Sequence, residues 1–108
     1  MREIIKKLLK FRNERDWEKF HTPENLSKSI VIEAGELLEN FQWGSEFANA
    51  DNIKEEVADV MIYCLLLCEK MDFDVKDIIN EKIESNNKKY PVNKSKGNAK
   101  KYNEFWKT

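Results

Sequence analysis

Four acidic residues fall into two pairs with the spacing Glu-x-x-acid: Glu33 with Glu36, and Glu56 with Asp59. The first pair sits among Ile30, Val31, Ile32, Ala34, Leu37 and Leu38, a run that reads as the buried side of a helix, where an unpaired carboxylate costs several kcal/mol. Residues three apart project side by side from a helix, so each pair occupies one face. If the two helices are antiparallel neighbours, four carboxylates meet in one otherwise apolar pocket. Like charges at that distance repel, and burial raises their pKa values, unless a cation lies between them. An all-oxygen ligand set favours Mg²⁺, or Mn²⁺, over zinc, which prefers His or Cys. The single histidine, His21, lacks the Glu-x-x-His partner of di-iron bundles, and no EF-hand loop is present. Magnesium held on one side by carboxylates completes its shell with water and substrate phosphates, so the pattern points to phosphate chemistry.

Other residues suit the rest of a nucleotide. "RDWEKFH" puts Trp17, Phe20 and His21 at a turn before the first acidic helix, and "FQW" puts Trp43 just after it, so aromatics are available to sandwich a base. "EKIESNNKKYP" carries Lys82, Asn86 and Lys89 or Tyr90 at spacings of four and three. On one helix face Lys82 and Lys89 suit a phosphate chain and Asn86 a polar edge.

These groups need elements to position them. With three Gly, two Pro and 36% charged residues among 108, the chain is expected to be all-α and one domain. The spacing of Ile4, Ile5, Leu8, Leu9 and Phe11 predicts a helix from about Arg2 to Arg15. Thr22 as N-cap, Pro23 at the first position and Glu24 in the first turn open a second, carried to about Phe41. "QWGSEFANAD" reads as a loop, and Asn52 with Glu55 as a capping box opening a third helix that runs to about Met71. Asp74 and Asp77 cap a fourth, which ends near Tyr90 at Pro91. The Lys- and Asn-rich remainder, 92–108, is expected to be a loose basic tail whose aromatics Tyr102, Phe105 and Trp106 dock on a neighbour.

Net charge is −1 but unevenly spread. Glu33 to Asp59 holds eight acids against Lys54 alone, and Lys82 to Thr108 holds eight lysines against Glu84 and Glu104, so the acidic centre suits cations and the basic end an anion. The near-neutral total argues against stable nucleic-acid binding. The longest apolar run, Val60 to Cys68, is about half of the roughly 20 residues a membrane helix needs. Cys64 and Cys68 lie within it and read as reduced core thiols of a cytoplasmic protein. Between Val57 and Cys68 only Asp59 is charged, so the third helix is apolar nearly all round. Covering it on every side calls for a second protomer and predicts a homo-oligomer.

The stretches "ERDWEKFHTPENL", "VIEAGELLENFQW", "EEVADVMIY" and "EKIESNNKKYP" together resemble the MazG-like nucleoside triphosphate pyrophosphohydrolases, most closely their dCTP pyrophosphatase branch. The likeness runs from about Phe11 to Pro91 and implies a MazG-like domain over 1–91. It implies an all-α NTP pyrophosphatase fold in which four helices assemble with a neighbouring protomer, as a dimer or a dimer-based tetramer. The implied reaction is Mg²⁺-dependent hydrolysis of a dNTP, dCTP or a modified dCTP, to the monophosphate and pyrophosphate. Carried over by position, Glu33, Glu36, Glu56 and Asp59 are the metal ligands, Trp17, His21 and Trp43 border the base, and Tyr63, Lys82 and Asn86 contact the nucleotide. A water is the nucleophile, oriented or deprotonated by Glu36 or Glu33. Leu8 stands where the animal enzymes carry a His, and Lys89 replaces an Arg before the Tyr, a weaker fork for phosphate. The competing reading is a non-catalytic helical interaction module whose exposed acidic patch binds a basic partner.

Overall fold

Helix α1, Arg2–Glu14, opens the chain and is followed by a 3₁₀ turn at Glu18–Phe20. The computed structural model describes residues 1–97 and 99. Helix α2 spans Pro23–Glu39, a second 3₁₀ turn Ser45–Phe47, α3 Ala50–Lys70, α4 Val75–Lys89 and α5 Val92–Ser95, with no strand among the described residues. The all-α expectation therefore holds. The predicted tail aromatics Tyr102, Phe105 and Trp106 lie outside the described residues.

Local chemistry explains the boundaries. Arg15 leaves α1 with its N–H on the Arg12 carbonyl, and Asp16 turns the chain through a left-handed φ of 54°, a conformation that Asp tolerates better than most side chains. Thr22 caps α2 as expected: its Oγ1 accepts from the Asn25 N–H at 3.1 Å, with Pro23 at the first helical position, a cap of about 1 kcal/mol. Gly44 supplies the φ of 104° that separates α2 from the next turn. Helix α3 begins earlier than the sequence suggests. Asn49, not Asn52, is its cap, and Asn49 Oδ1 accepts from the N–H groups of Asp51 at 2.9 Å and Asn52 at 3.2 Å. The stretch after Pro91, expected to be loose, contains the single turn of α5.

The chain divides into two units, Met1–Asp74 and Val75–Thr108. In the first, α2 packs chiefly on α3, and α1 touches α3 more lightly. Asn40 near the end of α2 lines the same cleft as Asn52 near the start of α3, so the two helices run antiparallel. Their apolar core is small: Leu26, Leu65 and Leu66 are the buried hydrophobic residues among those described. Val57, Met61 and Ile62 on α3, and Val31, Ile32 and Leu38 on α2, remain exposed, Val31 at 72% and Leu38 at 70%. The apolar run of α3 is thus only partly covered by its own chain. Cys64 and Cys68 are free, Cys64 exposed and Cys68 half-buried, so Cys64 is not the core thiol its neighbours suggested. The second unit carries α4, which exposes Ile78, Ile79 and Ile83, and α5. No helix among the described residues is long and apolar enough to cross a membrane.

Candidate functional site

The antiparallel packing of α2 on α3 brings the two acidic pairs together. Glu33, Glu56 and Asp59 each offer a carboxylate oxygen, and these three oxygens lie within 4.8 Å of one another. Helical spacing puts Glu36 one turn from Glu33, and Glu36 lines an adjoining cleft of about 350 Å³ with Glu39, Asn40, Asn52 and Glu56. The Asn40 amide turns back to donate to the Glu36 and Leu37 carbonyls, both at 3.3 Å, and so closes the end of α2.

The electrostatics of this cluster are unfavourable as it stands. Glu33 Oε2 and Glu56 Oε2 are buried and meet no hydrogen-bond donor. Burial pushes the Glu33 carboxyl up to about 7, helped by the adjacent Glu36 and then by Asp59 and Glu56. Glu56 is raised too, by burial first and by Glu36 and Asp59 after it. Orphaned buried carboxylate oxygens in a cluster of acids are what a divalent cation would satisfy, and an all-oxygen donor set fits Mg²⁺ or Mn²⁺. A patch built to bind a basic partner would leave these oxygens in water instead.

The other expected site residues are distributed as follows. Tyr63 is half-buried one turn beyond Asp59 on α3. Trp17 and His21 flank the 3₁₀ turn between α1 and α2, and Trp43, 76% exposed, stands in the turn after α2. Trp17, 44% exposed, packs within its own turn. Its ring meets Phe11 edge-on, with centroids 5.6 Å apart at 78°, and the Arg15 guanidinium lies 3.7 Å over the Phe11 ring. Phe20 is exposed. Lys82, Asn86 and Lys89 all lie on α4, in the second unit; Lys82 is exposed, Asn86 and Lys89 are half-buried, and the Asn86 carbonyl accepts from the Tyr90 N–H at 2.8 Å.

One residue escaped the sequence reading. Arg12 is buried, at 6% exposure, with its Nη2 3.6 Å from Glu18 Oε2. The signal was available: Arg12 continues the Ile5, Leu8, Leu9 stripe, the inward face of α1, whereas Ile4 and Phe11 point outward.

The profile of the MazG-like family matches residues 28–105. The chain is 38% identical to dCTP pyrophosphatase 1 of Mus musculus and 34% identical to that of Homo sapiens, in each case across 95% of this chain. It spans 66% of the length of those two proteins. A pyrophosphatase from Archaeoglobus fulgidus superposes with a TM-score of 0.75 at 40% identity, covering 84% of this chain and 92% of that one.

Proposed function

We propose, since the chain belongs to the MazG-like family, that it is a magnesium-dependent nucleoside triphosphate pyrophosphohydrolase converting a dNTP to its monophosphate and pyrophosphate. The observation that carries this reading is the partnerless, buried oxygen on each of Glu33 and Glu56, within one cluster with Asp59 and beside Glu36. A cation held in the working state would relieve the repulsion that such a cluster carries. The names of the mammalian relatives support dCTP, or a modified dCTP, as the substrate. Removal of surplus or non-canonical nucleotides from the cytoplasmic pool is the role that follows.

Glu33, Glu56 and Asp59, with Glu36 beside them, would hold the ion, Mg²⁺ or Mn²⁺. When bound, the ion would neutralise phosphate charge and lower the pKa of a coordinated water. Glu36 or Glu33 orients a water, or takes its proton, for attack at the α-phosphorus. The bond from the α-phosphorus to the bridging oxygen breaks and pyrophosphate leaves. Lys82 and Lys89 offset the charge of the phosphate chain, and Asn86 and Tyr63 contact the nucleotide. Trp43 and Trp17 offer stacking faces, worth about 1–3 kcal/mol per base, and His21 a polar contact. The uncovered apolar faces of α2 and α3, including a shallow groove of about 680 Å³ lined by Val31, Ile32, Lys28, Ser27 and Glu24, support a homo-oligomer, dimer or tetramer. Within it, 1–91 is the catalytic domain and 92–108 a basic tail. A magnesium titration followed by thermal unfolding, together with a panel of dNTPs and NTPs, tests the reading: the melting temperature rises with Mg²⁺ and turnover requires it. Neither effect appears if the acids are only a protein-docking patch.

A further inference from the structure

We propose that Arg12, Glu18 and Lys70 form a positioning bridge that fixes the Trp17–His21 corner and presents His21 as a neutral imidazole to the nucleobase, an inference that rests on the nucleotide reading above. Three elements meet at this corner. Arg12 comes from α1, with its Nη2 3.6 Å from Glu18 Oε2; Lys70 comes from the end of α3, with its Nζ 3.7 Å from Glu18 Oε1. Glu18, in the turn between α1 and α2, therefore receives one cation on each carboxylate oxygen. The Arg12 Nε donates to Asn13 Oδ1 at 2.9 Å, which fixes the guanidinium within its buried site.

The same residues organise the backbone of the corner. The Arg12 carbonyl accepts from the Trp17 N–H at 3.2 Å, and the Glu18 carbonyl accepts from the His21 N–H at 2.9 Å. Both residues assigned to the base thus hang from the two partners of one ion pair. Moving Glu18 moves His21, and moving Arg12 moves Trp17.

The neutral state of His21 follows from where its ring sits. Nδ1 is buried and has no hydrogen-bond partner. An imidazolium would have to carry an N–H there, with nothing to accept it and with Arg12 and Lys70 both nearby. The charged groups facing the ring are Arg12 from α1, Lys70 from α3 and Glu18 from its own turn. Burial lowers the His21 pKa most, Arg12 and then Lys70 lower it further, and Glu18 alone opposes them. A neutral ring offers the base one donor or acceptor without a charge to desolvate, and so discriminates by hydrogen bonding.

His21 is the single histidine of the chain, so its ring-proton resonances titrate without overlap from another imidazole. The test is an NMR pH titration of the native chain, Lys70→Met and Glu18→Gln, paired with the pH dependence of kcat/KM for dCTP in the same three proteins. Both substituted side chains are partly exposed, so the fold is retained. The His21 midpoint moves up in Lys70→Met and down in Glu18→Gln, and the acid limb of kcat/KM moves with it in each. KM for dCTP rises up to about fivefold in either variant, the ceiling for a partly exposed ion pair, with kcat little changed. Midpoints that stay put, or that move in the same direction, overturn the bridge. Midpoints that move as expected while the acid limb stays fixed overturn the role at the base. A native chain that hydrolyses no nucleoside triphosphate overturns the nucleotide reading itself, an outcome the titration of the free protein cannot mimic.

Discussion

Glu33 on α2 and Glu56 on α3 each bury one carboxylate oxygen that finds no donor, and their acidic groups approach one another within a single cluster. Two helices that pack by hydrophobic contact alone would not choose this pairing. The cluster costs the metal-free protein stability, and the cost depends on pH.

The Glu33 carboxyl is pushed up from 4.5 to about 7, so between those values the folded state holds a proton that the unfolded chain has lost. Stability of the metal-free protein accordingly falls as pH rises through this window and levels off above it. Lowering of the His21 pKa acts with the opposite sign, but it is common to native protein and Glu33→Gln and cancels in their difference. With a chelator present, Glu33→Gln is expected to melt higher than the native chain by a margin that grows from pH 4.5 to 7. A margin independent of pH across thermal melts would show that Glu33 titrates normally.

Glu36 is exposed, and its amide substitute leaves helix α2 intact, with stability changed by no more than about 0.5 kcal/mol. Hydrolysis is a different matter. Loss of a carboxylate that orients or deprotonates the water lowers kcat by about a hundredfold or more. Circular dichroism together with steady-state turnover of Glu36→Gln checks both halves, and activity within a few-fold of native contradicts the assignment.

The acidic site was legible because it rests on local rules. Spacing of three on a helix fixed which carboxylates share a face, and the short connection from α2 to α3 made antiparallel packing the economical arrangement. What the sequence did not disclose depended on competition or on tertiary context. Asn49 and Asn52 are both good caps, three residues apart, and the choice between them turns on which Asn reaches two amides at once. The burial of Arg12 went unread because its ion-pair partner, Glu18, lies beyond a turn and the second cation on Glu18, Lys70, is distant along the chain. The T-shaped contact of Trp17 with Phe11, six residues earlier, likewise depends on how the turn after α1 folds back.

Trp43 is 76% exposed, so its removal disturbs little of the fold. Stacking on a base remote from the reacting phosphorus contributes mostly uniform binding. Trp43→Ala is therefore expected to raise KM for dCTP about fivefold or more, for a loss of about 1–3 kcal/mol, while kcat falls less. The margin by which dCTP is expected to outrank purine dNTPs should flatten as well. A substrate panel whose KM values and ranking are unchanged removes Trp43 from the base site.

The uncovered Val31, Ile32 and Leu38 of α2 and Met61 of α3 predict self-association. Light scattering coupled to size exclusion should report a dimer or tetramer for the native chain, and Val31→Glu should shift it toward the monomer. A native chain that runs as a monomer at all concentrations leaves this apolar surface without the proposed partner.

The bond that breaks is the most direct question to put to the protein. With dCTP and Mg²⁺, the products resolved by ion-exchange chromatography should be dCMP and pyrophosphate in equal amounts, and neither should form when a chelator replaces the metal. Release of dCDP and orthophosphate as the primary products, or turnover that persists in chelator, would contradict a four-carboxylate pyrophosphohydrolase site.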